Sequence, residues 1–185
     1  MFSPFRSSLG IAAFLFMARM EAVGADQPQF APEKFFAGQT HSSGVFENTI
    51  GKPRQRFTTE CRGRLRGNTL LLDQLFHYDD GRTQERHWQI HRIDATHYDG
   101  RANDVVGVAR GEVSGSTFRF RYVVALKPGN PFLNVRLDQF MTMRPDRILE
   151  NHATIRKLGF TISRVSERFW RGEKERTGSS RSSKR

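Results

Sequence analysis

The sequence predicts an all-β protein whose strands close into one antiparallel up-and-down barrel. Apolar residues recur at every second position over most of residues 40–170, which is the period of a strand with one buried face. Short breaks rich in Gly, Asp, Asn and Pro separate these segments. No amphipathic helix of useful length lies between them, so consecutive strands should be antiparallel neighbours.

Nine segments fit the strand pattern, at intervals of about 10–14 residues, as in sandwiches and barrels. The clearest is 116–126, where apolar side chains alternate with Arg119 and Arg121. Asp80-Gly81 is a hairpin signal, because glycine adopts a positive φ without steric cost. Residues 94–98 are interpreted as a turn or a short extended piece. The nine predicted strands are 41–48, 54–64, 69–78, 83–93, 104–113, 116–126, 133–143, 147–157 and 160–169.

The strand count favours a closed barrel of eight or nine strands, similar to a lipocalin. Closure is expected because a long antiparallel sheet with one apolar face must close or pack on another sheet. Two packed sheets are the alternative. A short helix is predicted before the first strand, starting at Pro32 and ended by Gly38.

The two ends of the chain differ from the middle. Residues 1–25 have the pattern of a secretory signal peptide, with Arg6, an apolar run over 9–18 and small residues before Asp26. An amphipathic helix or an uncleaved anchor is the alternative. Cleavage would leave a barrel domain over 26–170 and predicts a periplasmic location. No cysteine follows the apolar run at a lipid-attachment position, so the protein is not expected to be lipid-anchored.

The net charge of +11 is concentrated partly at the C-terminus. Residues 171–185 hold six basic and two acidic residues, a net +4, and no hydrophobic side chain. This composition predicts a disordered basic tail. Such a tail could meet an anionic membrane surface or acidic polysaccharide, or it could serve only solubility. Export and the absence of a recognisable nucleic-acid module argue against nucleic acid.

A candidate ligand site follows from side-chain parity along the predicted strands. Aromatic residues share inward positions with a few polar ones, and a small closed barrel can hold one small ligand. Arg86 could meet a carboxylate or phosphate headgroup, with the aromatic side chains along the ligand's tail. Alternatively, Arg86 and Asp138 pair with each other or point outward. The predicted ligand-binding residues are Phe76, Arg86, Trp88, Phe118, Phe120, Tyr122 and Asp138, the last placed inward because it shares parity with Phe132 and Phe140.

Neither metal nor covalent chemistry is predicted. His87 and His91 would lie about 13 Å apart on a strand, too far to chelate one ion, and no cofactor motif is present. No Gly-x-Ser-x-Gly elbow occurs, and Cys61 is interpreted as a buried packing thiol rather than a reactive one. A catalytic role for Asp138 would need a second titratable group within hydrogen-bond reach. The protein is therefore not expected to be an enzyme.

One long stretch resembles a known family. The segments LDQLFHYDDG, ERHWQIHRID, HYDGRANDVVGVARGEVSG, LDQF and ENHATIRKLGF are similar to bacterial envelope proteins grouped as domain of unknown function (DUF) 3833. The resemblance implies an exported protein, often a lipoprotein, with a lipocalin-like barrel. Members of this family are often encoded near fatty-acid-modifying enzymes, which implies a connection with lipids. This chain lacks the lipobox cysteine, and it has Gln139 where an aromatic residue is common after Asp138.

Two functions are compatible with these observations. The first is an exported barrel that binds a small apolar or lipid-like ligand, such as a fatty acid, in the cell envelope. The second is a non-catalytic scaffold or interaction module, with a filled barrel and a basic surface that meets anionic partners. An interior cavity of about 300 Å³ or more would favour the first, and a packed interior the second.

Overall fold

Residues 29–172, which the computed structural model describes, form a closed barrel of ten antiparallel strands. The predicted all-β antiparallel barrel with a short N-terminal helix is confirmed, but the predicted count of eight or nine strands is wrong. The predicted signal peptide, 1–25, lies outside the described residues, as does the predicted basic tail beyond residue 172. The last strand ends at Arg171, one residue past the predicted end of the barrel domain.

The helix α1 spans Pro32–Phe35, and a single 3-10 turn spans Pro131–Leu133. Among the described residues no helix has the length and hydropathy to cross a bilayer. The strands are β1 Gly38–Glu47, β2 Pro53–Arg66, β3 Thr69–Tyr78, β4 Thr83–Arg92, β5 His97–Ala102, β6 Val105–Ser114, β7 Thr117–Ala125, β8 Asn134–Met143, β9 Leu149–Lys157 and β10 Phe160–Arg171.

The strand that the sequence did not predict is β5. It has only six residues, and its single aromatic inward residue, Tyr98, stands between turn-forming residues. Gly100 takes the next inward position because a Cβ there would lie 2.7 Å from the ring of Phe120. An inward glycine removes one apolar residue from the period-two pattern, and so the segment resembles a turn.

Each strand pairs with its neighbours in sequence, and β1 pairs with β10 to close the barrel. The closing register runs from Thr40 opposite Arg171 to Glu47 opposite Arg164. Closure removes the two free edges that an open ten-stranded sheet would have. It also fixes the side-chain alternation, so that one face of every strand points into the barrel.

One end of the barrel is closed by the N-terminal segment. Phe36 packs edge-on against Phe169 of β10, with ring centroids 5.4 Å apart. The backbone N–H of Phe30 donates to the carbonyl of Gly115 in the β6–β7 turn at 2.8 Å. Arg171 donates to the carbonyl oxygen of Lys34 at 2.9 Å. These contacts hold α1 across the barrel mouth, and we call this the closed end.

A buried carboxylate fixes α1 against the barrel wall. Glu33 is only 7% exposed. It accepts hydrogen bonds from the Tyr98 hydroxyl at 2.9 Å and from Arg92 Nη1 at 3.2 Å. Both partners belong to the β4–β5 region of the wall. Because a buried charge is costly unless it is paired and hydrogen-bonded, these two bonds make the docked position of α1 specific.

The opposite end carries the β1–β2, β3–β4, β5–β6, β7–β8 and β9–β10 connections, and we call it the open end. Strand directions require this, because β1 starts at the closed end opposite Gly63 and successive strands alternate. Leu126, at the end of β7, is 63% exposed there. The 3-10 turn Pro131–Leu133 lies in the β7–β8 connection at this end, whereas α1 lies at the closed end.

Gly63 on β2 lets the N-terminal segment approach the wall. A Cβ at this position would lie 1.8 Å from the carbonyl oxygen of Phe36, so the backbone of the segment would have to move.

We expect Gly63→Ala to lower the free energy of unfolding by about 2–3 kcal/mol, measured by urea denaturation. The control is Arg62→Ala at the neighbouring exposed position, which should change stability by no more than about 0.5 kcal/mol. Equal stability of the two variants would show that α1 does not dock as described.

Candidate functional site

The barrel encloses a cavity of about 190 Å³. Its lining extends from Pro32 and Phe36, both buried at the closed end, to the exposed Leu126 at the open end. The cavity is therefore blocked on one side by the N-terminal segment and opens on the other. Most lining side chains are apolar or aromatic, as in ligand pockets generally.

An aromatic cluster from β4 and β7 forms one wall of the cavity. Trp88 lies 5.1 Å from both Phe120 and Tyr122, measured between ring centroids. Phe120 stacks on Phe118 at 5.2 Å. The Trp88 Nε1–H donates to Gln74 Oε1 at 3.0 Å, so the polar atom of the indole is satisfied. Tilted and edge-on ring pairs of this kind are stabilising beyond their buried area, and they hold the wall rigid.

Arg86 of β4 projects into the same cavity and forms an ion pair with Asp104 in the β5–β6 turn. Arg86 Nε lies 2.9 and 3.0 Å from the two carboxylate oxygens, and Nη2 lies 2.7 Å from Oδ2. The side chains of Arg86 and Asp104 are 12% and 15% exposed. Asp104 thus already supplies Arg86 with a carboxylate, the group that was expected from a ligand headgroup, and the role of Arg86 in ligand binding stays a prediction.

The remaining guanidinium nitrogen faces the aromatic wall. Arg86 Nη1 donates to the Tyr122 hydroxyl at 3.5 Å, and burial raises the pKa of Tyr122 to about 12. The guanidinium lies 5.6 Å from the centroid of Phe76 and 5.9 Å from that of Trp88. Gln84 links Tyr78 to Asp104 by hydrogen bonds of 2.9 and 3.2 Å. The open side of the cavity therefore holds a hydrogen-bonded cluster of polar side chains. Its net charge is zero, because the positive charge of Arg86 and the negative charge of Asp104 cancel.

A second polar group, which the sequence did not predict, surrounds Glu167 of β10. Its carboxylate accepts from Ser42 Oγ at 2.6 Å and from Asn151 Nδ2 at 3.0 Å. Burial raises the pKa of Glu167. Among the described residues Thr59 Oγ1 and Asn151 Oδ1 are buried without a hydrogen-bond partner. Glu167 has the same strand parity as Val165 and Phe169, which are apolar. This shared parity was a signal in the sequence that could have placed Glu167 inside the barrel.

Six of the seven predicted site residues line the cavity, and Asp138 does not. On β8 the buried positions are Val135, Leu137 and Met141, so Asp138 belongs to the outer face. There it accepts from Arg119 at 2.9 and 2.6 Å, which lowers the pKa of Asp138. The inward placement of Asp138 is therefore wrong, and so is the alternative that it pairs with Arg86. The six lining residues are Phe76, Arg86, Trp88, Phe118, Phe120 and Tyr122.

The other chemically interesting residues lie away from an accessible site. Cys61 is 1% exposed, and burial raises the pKa of its thiol to about 12. His87 and His91 are exposed on the outer face of β4. Within residues 29–172 no three His, Cys, Asp or Glu side chains come together as metal ligands would.

Two solved structures are similar to this chain to different degrees. The S-type phycobiliprotein lyase CPES from Guillardia theta matches with a TM-score of 0.54 and 6% identity, over 76% of this chain and 90% of that chain. EF1p2_mFAP2b bound to DFHBI has a TM-score of 0.42 and 13% identity, over 75% of this chain and 95% of that chain. At such identities the first likeness shows the fold alone, and the second is too weak for an argument.

Comparison at the level of sequence gives a firmer assignment. None of the curated proteins matches this chain. The family model described as protein of unknown function (DUF3833) matches residues 11–171, which include the whole barrel. The resemblance seen in the sequence is therefore confirmed, and the chain belongs to the DUF3833 family.

Proposed function

We propose that the barrel binds one small, mostly apolar, lipid-like molecule whose polar group is uncharged. The observation that carries this proposal is the cavity of about 190 Å³, closed at one end and lined by aromatic rings and a few polar groups. The wall of Trp88, Phe120 and Tyr122 would contact the apolar part of the ligand. The second N–H of Arg86 Nη1, whose first N–H donates to the Tyr122 hydroxyl, and that hydroxyl itself would hydrogen-bond to its polar group.

The volume limits the size of the ligand. Pockets for drug-sized molecules span about 300–1,000 Å³, and this cavity is smaller. Its volume suits a medium-length alkyl chain rather than a whole long-chain fatty acid. The cavity does not reach the roughly 300 Å³ that would favour a ligand pocket, and it is not a packed interior either. A ligand smaller than a drug-sized molecule fits this intermediate volume, whereas the scaffold alternative needs a filled barrel.

The charges limit the chemistry of the ligand. Arg86 is neutralised by Asp104, and Glu167 adds a carboxyl whose pKa is raised by burial. A carboxylate or phosphate ligand would bring an additional negative charge without a free cation to meet it. Burial of an unpaired charge is strongly unfavourable, so an alcohol, an amide or an ester fits the cavity better.

Location and activity are proposed on the sequence alone. We propose a periplasmic address from the pattern of residues 1–25, and contact with anionic surfaces through the basic tail from its composition. The absence of enzymatic activity stays a prediction. The solved structure with the same fold is a lyase by name, and the barrel architecture is thus compatible with catalysis as well as binding.

A medium-chain alcohol and the matching acid test the proposal directly. We expect 1-octanol to raise the thermal midpoint of the protein and to change its Trp fluorescence, because Trp88 lines the cavity. Octanoate at neutral pH should bind about tenfold more weakly or not at all, because its charge is uncompensated. Tighter binding of octanoate would contradict the assigned ligand class, and no binding of either would contradict the function.

A matched pair of variants locates the binding. Val135→Phe fills the cavity from β8 and should abolish the octanol-dependent rise in thermal midpoint. Val106→Phe makes the same change at a position that is 47% exposed and should leave that rise unchanged. Equal loss in both variants would place the octanol site elsewhere.

Glu167→Gln tests the buried carboxyl through the pH dependence of stability. When folding raises the pKa of a carboxyl, its contribution to stability is complete at pH values below the pKa in the unfolded chain, about 4.5. This contribution is lost as the pH rises through the pKa in the folded state. The variant should therefore be more stable than the wild type at neutral pH, because it has no carboxyl that must ionise in the interior. It should gain nothing at pH values below the unfolded pKa. A variant less stable than the wild type at neutral pH would show that the ionised carboxylate is needed.

A further inference from the structure

Three connections at the open end share a chemical character that the ligand cavity does not explain. The connections 48–52, 126–133 and 157–160 are contiguous in space, because β10 lies between β1 and β9, and β8 lies between β9 and β7. We call them the rim. The rim exposes five large apolar side chains, which are Ile50 (74%), Leu126 (63%), Phe132 (85%), Leu158 (89%) and Phe160 (77%).

The charges on the rim have a single sign. It holds Lys52, Lys127 and Lys157 and no acidic residue, and the nearest acid in sequence is Glu47 at the end of β1. The other two connections at this end differ, since they contain Asp79, Asp80 and Asp104. The open end is thus divided into a basic, apolar half and a half without large exposed apolar residues in its turns, where Asp80 pairs with Arg82 and Asp104 with Arg86.

Arginines continue the basic surface on the outer wall just below the rim. Arg136 of β8 stands directly opposite Arg156 of β9, and both are exposed. Like charges opposite each other on adjacent strands are destabilising. Neither arginine takes part in an ion pair among residues 29–172. An anionic partner would relieve this repulsion.

The β9–β10 turn also places a leucine in an unfavourable backbone conformation. Leu158 has a φ of 50° and Gly159 a φ of 86°. In such two-residue turns Asn-Gly is the favoured sequence, because asparagine tolerates a positive φ better than other side chains. A leucine at this position costs stability and presents its side chain almost fully to solvent.

We propose that the rim docks on the surface of an anionic lipid bilayer, with its apolar side chains in the headgroup region and its lysines and arginines near the phosphates. Surfaces that combine exposed apolar side chains with basic ones bind at this interface. The charge complementarity favours an anionic membrane over an uncharged protein surface. Docking would bring the opening of the cavity to the bilayer, although the proposal does not depend on a ligand in the cavity.

A dye attached at one position reports on which end meets the membrane. We would label Phe132→Cys and, as the control at the closed end, Leu65→Cys in the full chain with a nitrobenzoxadiazole dye. Leu65 is 49% exposed, while the native Cys61 is buried and would not react. Vesicles of equal parts phosphatidylglycerol and phosphatidylcholine should increase and blue-shift the emission at position 132 only. A response at position 65 alone, an equal response at both, or none at either would overturn the proposal.

Substitutions separate the apolar and the charged contributions. Leu158→Asn should keep or raise the thermal midpoint, because asparagine suits the turn, and should weaken vesicle binding by about tenfold. Its control is Ile93→Asn at the closed end, where the side chain is 52% exposed and no weakening is expected.

Replacing Lys127 and Lys157 together by Gln should also weaken binding by about tenfold. Vesicle affinity that neither change lowers relative to the wild-type chain, which carries the same basic tail, would overturn the proposal. Equally strong binding to pure phosphatidylcholine vesicles would overturn it as well.

Discussion

Pairing between β1 and β10 is the interaction on which the rest of this structure depends. It converts a ten-strand meander into a barrel, and in doing so it divides every strand into an inner and an outer face. The aromatic wall, the Arg86–Asp104 pair and the site of Glu167 all owe their position to that division. Without this pairing β1 and β10 would be free edges, and Glu167 would be exposed rather than enclosed.

Closure also explains why the interior combines aromatic rings with a small number of charges. The interior of a barrel widens with the number of strands, so ten strands enclose more space than eight. Each charged side chain that points inward has hydrogen-bond partners beside it. Arg86 has Asp104, and Glu167 has Ser42 and Asn151. The unfilled space lies beside these groups, and so the cavity offers directional hydrogen bonds within an apolar lining.

Strand periodicity was sufficient to predict the fold class and to place six of the seven predicted site residues in the cavity lining, because alternation in a strand directly reports which face is buried. Periodicity failed to predict β5. Gly100 occupies an inward position of this strand, where the Phe120 ring leaves no room for a side chain. It failed again for Asp138, because the exposed Phe140 has the appearance of a core residue. Phe140 lies on the outer face, with the Arg119 guanidinium 4.9 Å from its ring centroid. Asp104 in the ion pair could not be predicted, since contacts between a turn and a strand leave no periodic signal.

The contacts of the N-terminal segment have a consequence for the order in which the protein is assembled. Phe36 packs on Phe169, and Arg171 donates to backbone carbonyls on both sides of Phe36, at Lys34 and Ala37. A ribosome makes residues 29–37 before any strand, but their partners in β10 appear only when the whole barrel has been synthesised. The segment's partners in β4, β5 and the β6–β7 turn are made earlier, so the segment can dock in steps, and its contacts with β10 complete the closed end last.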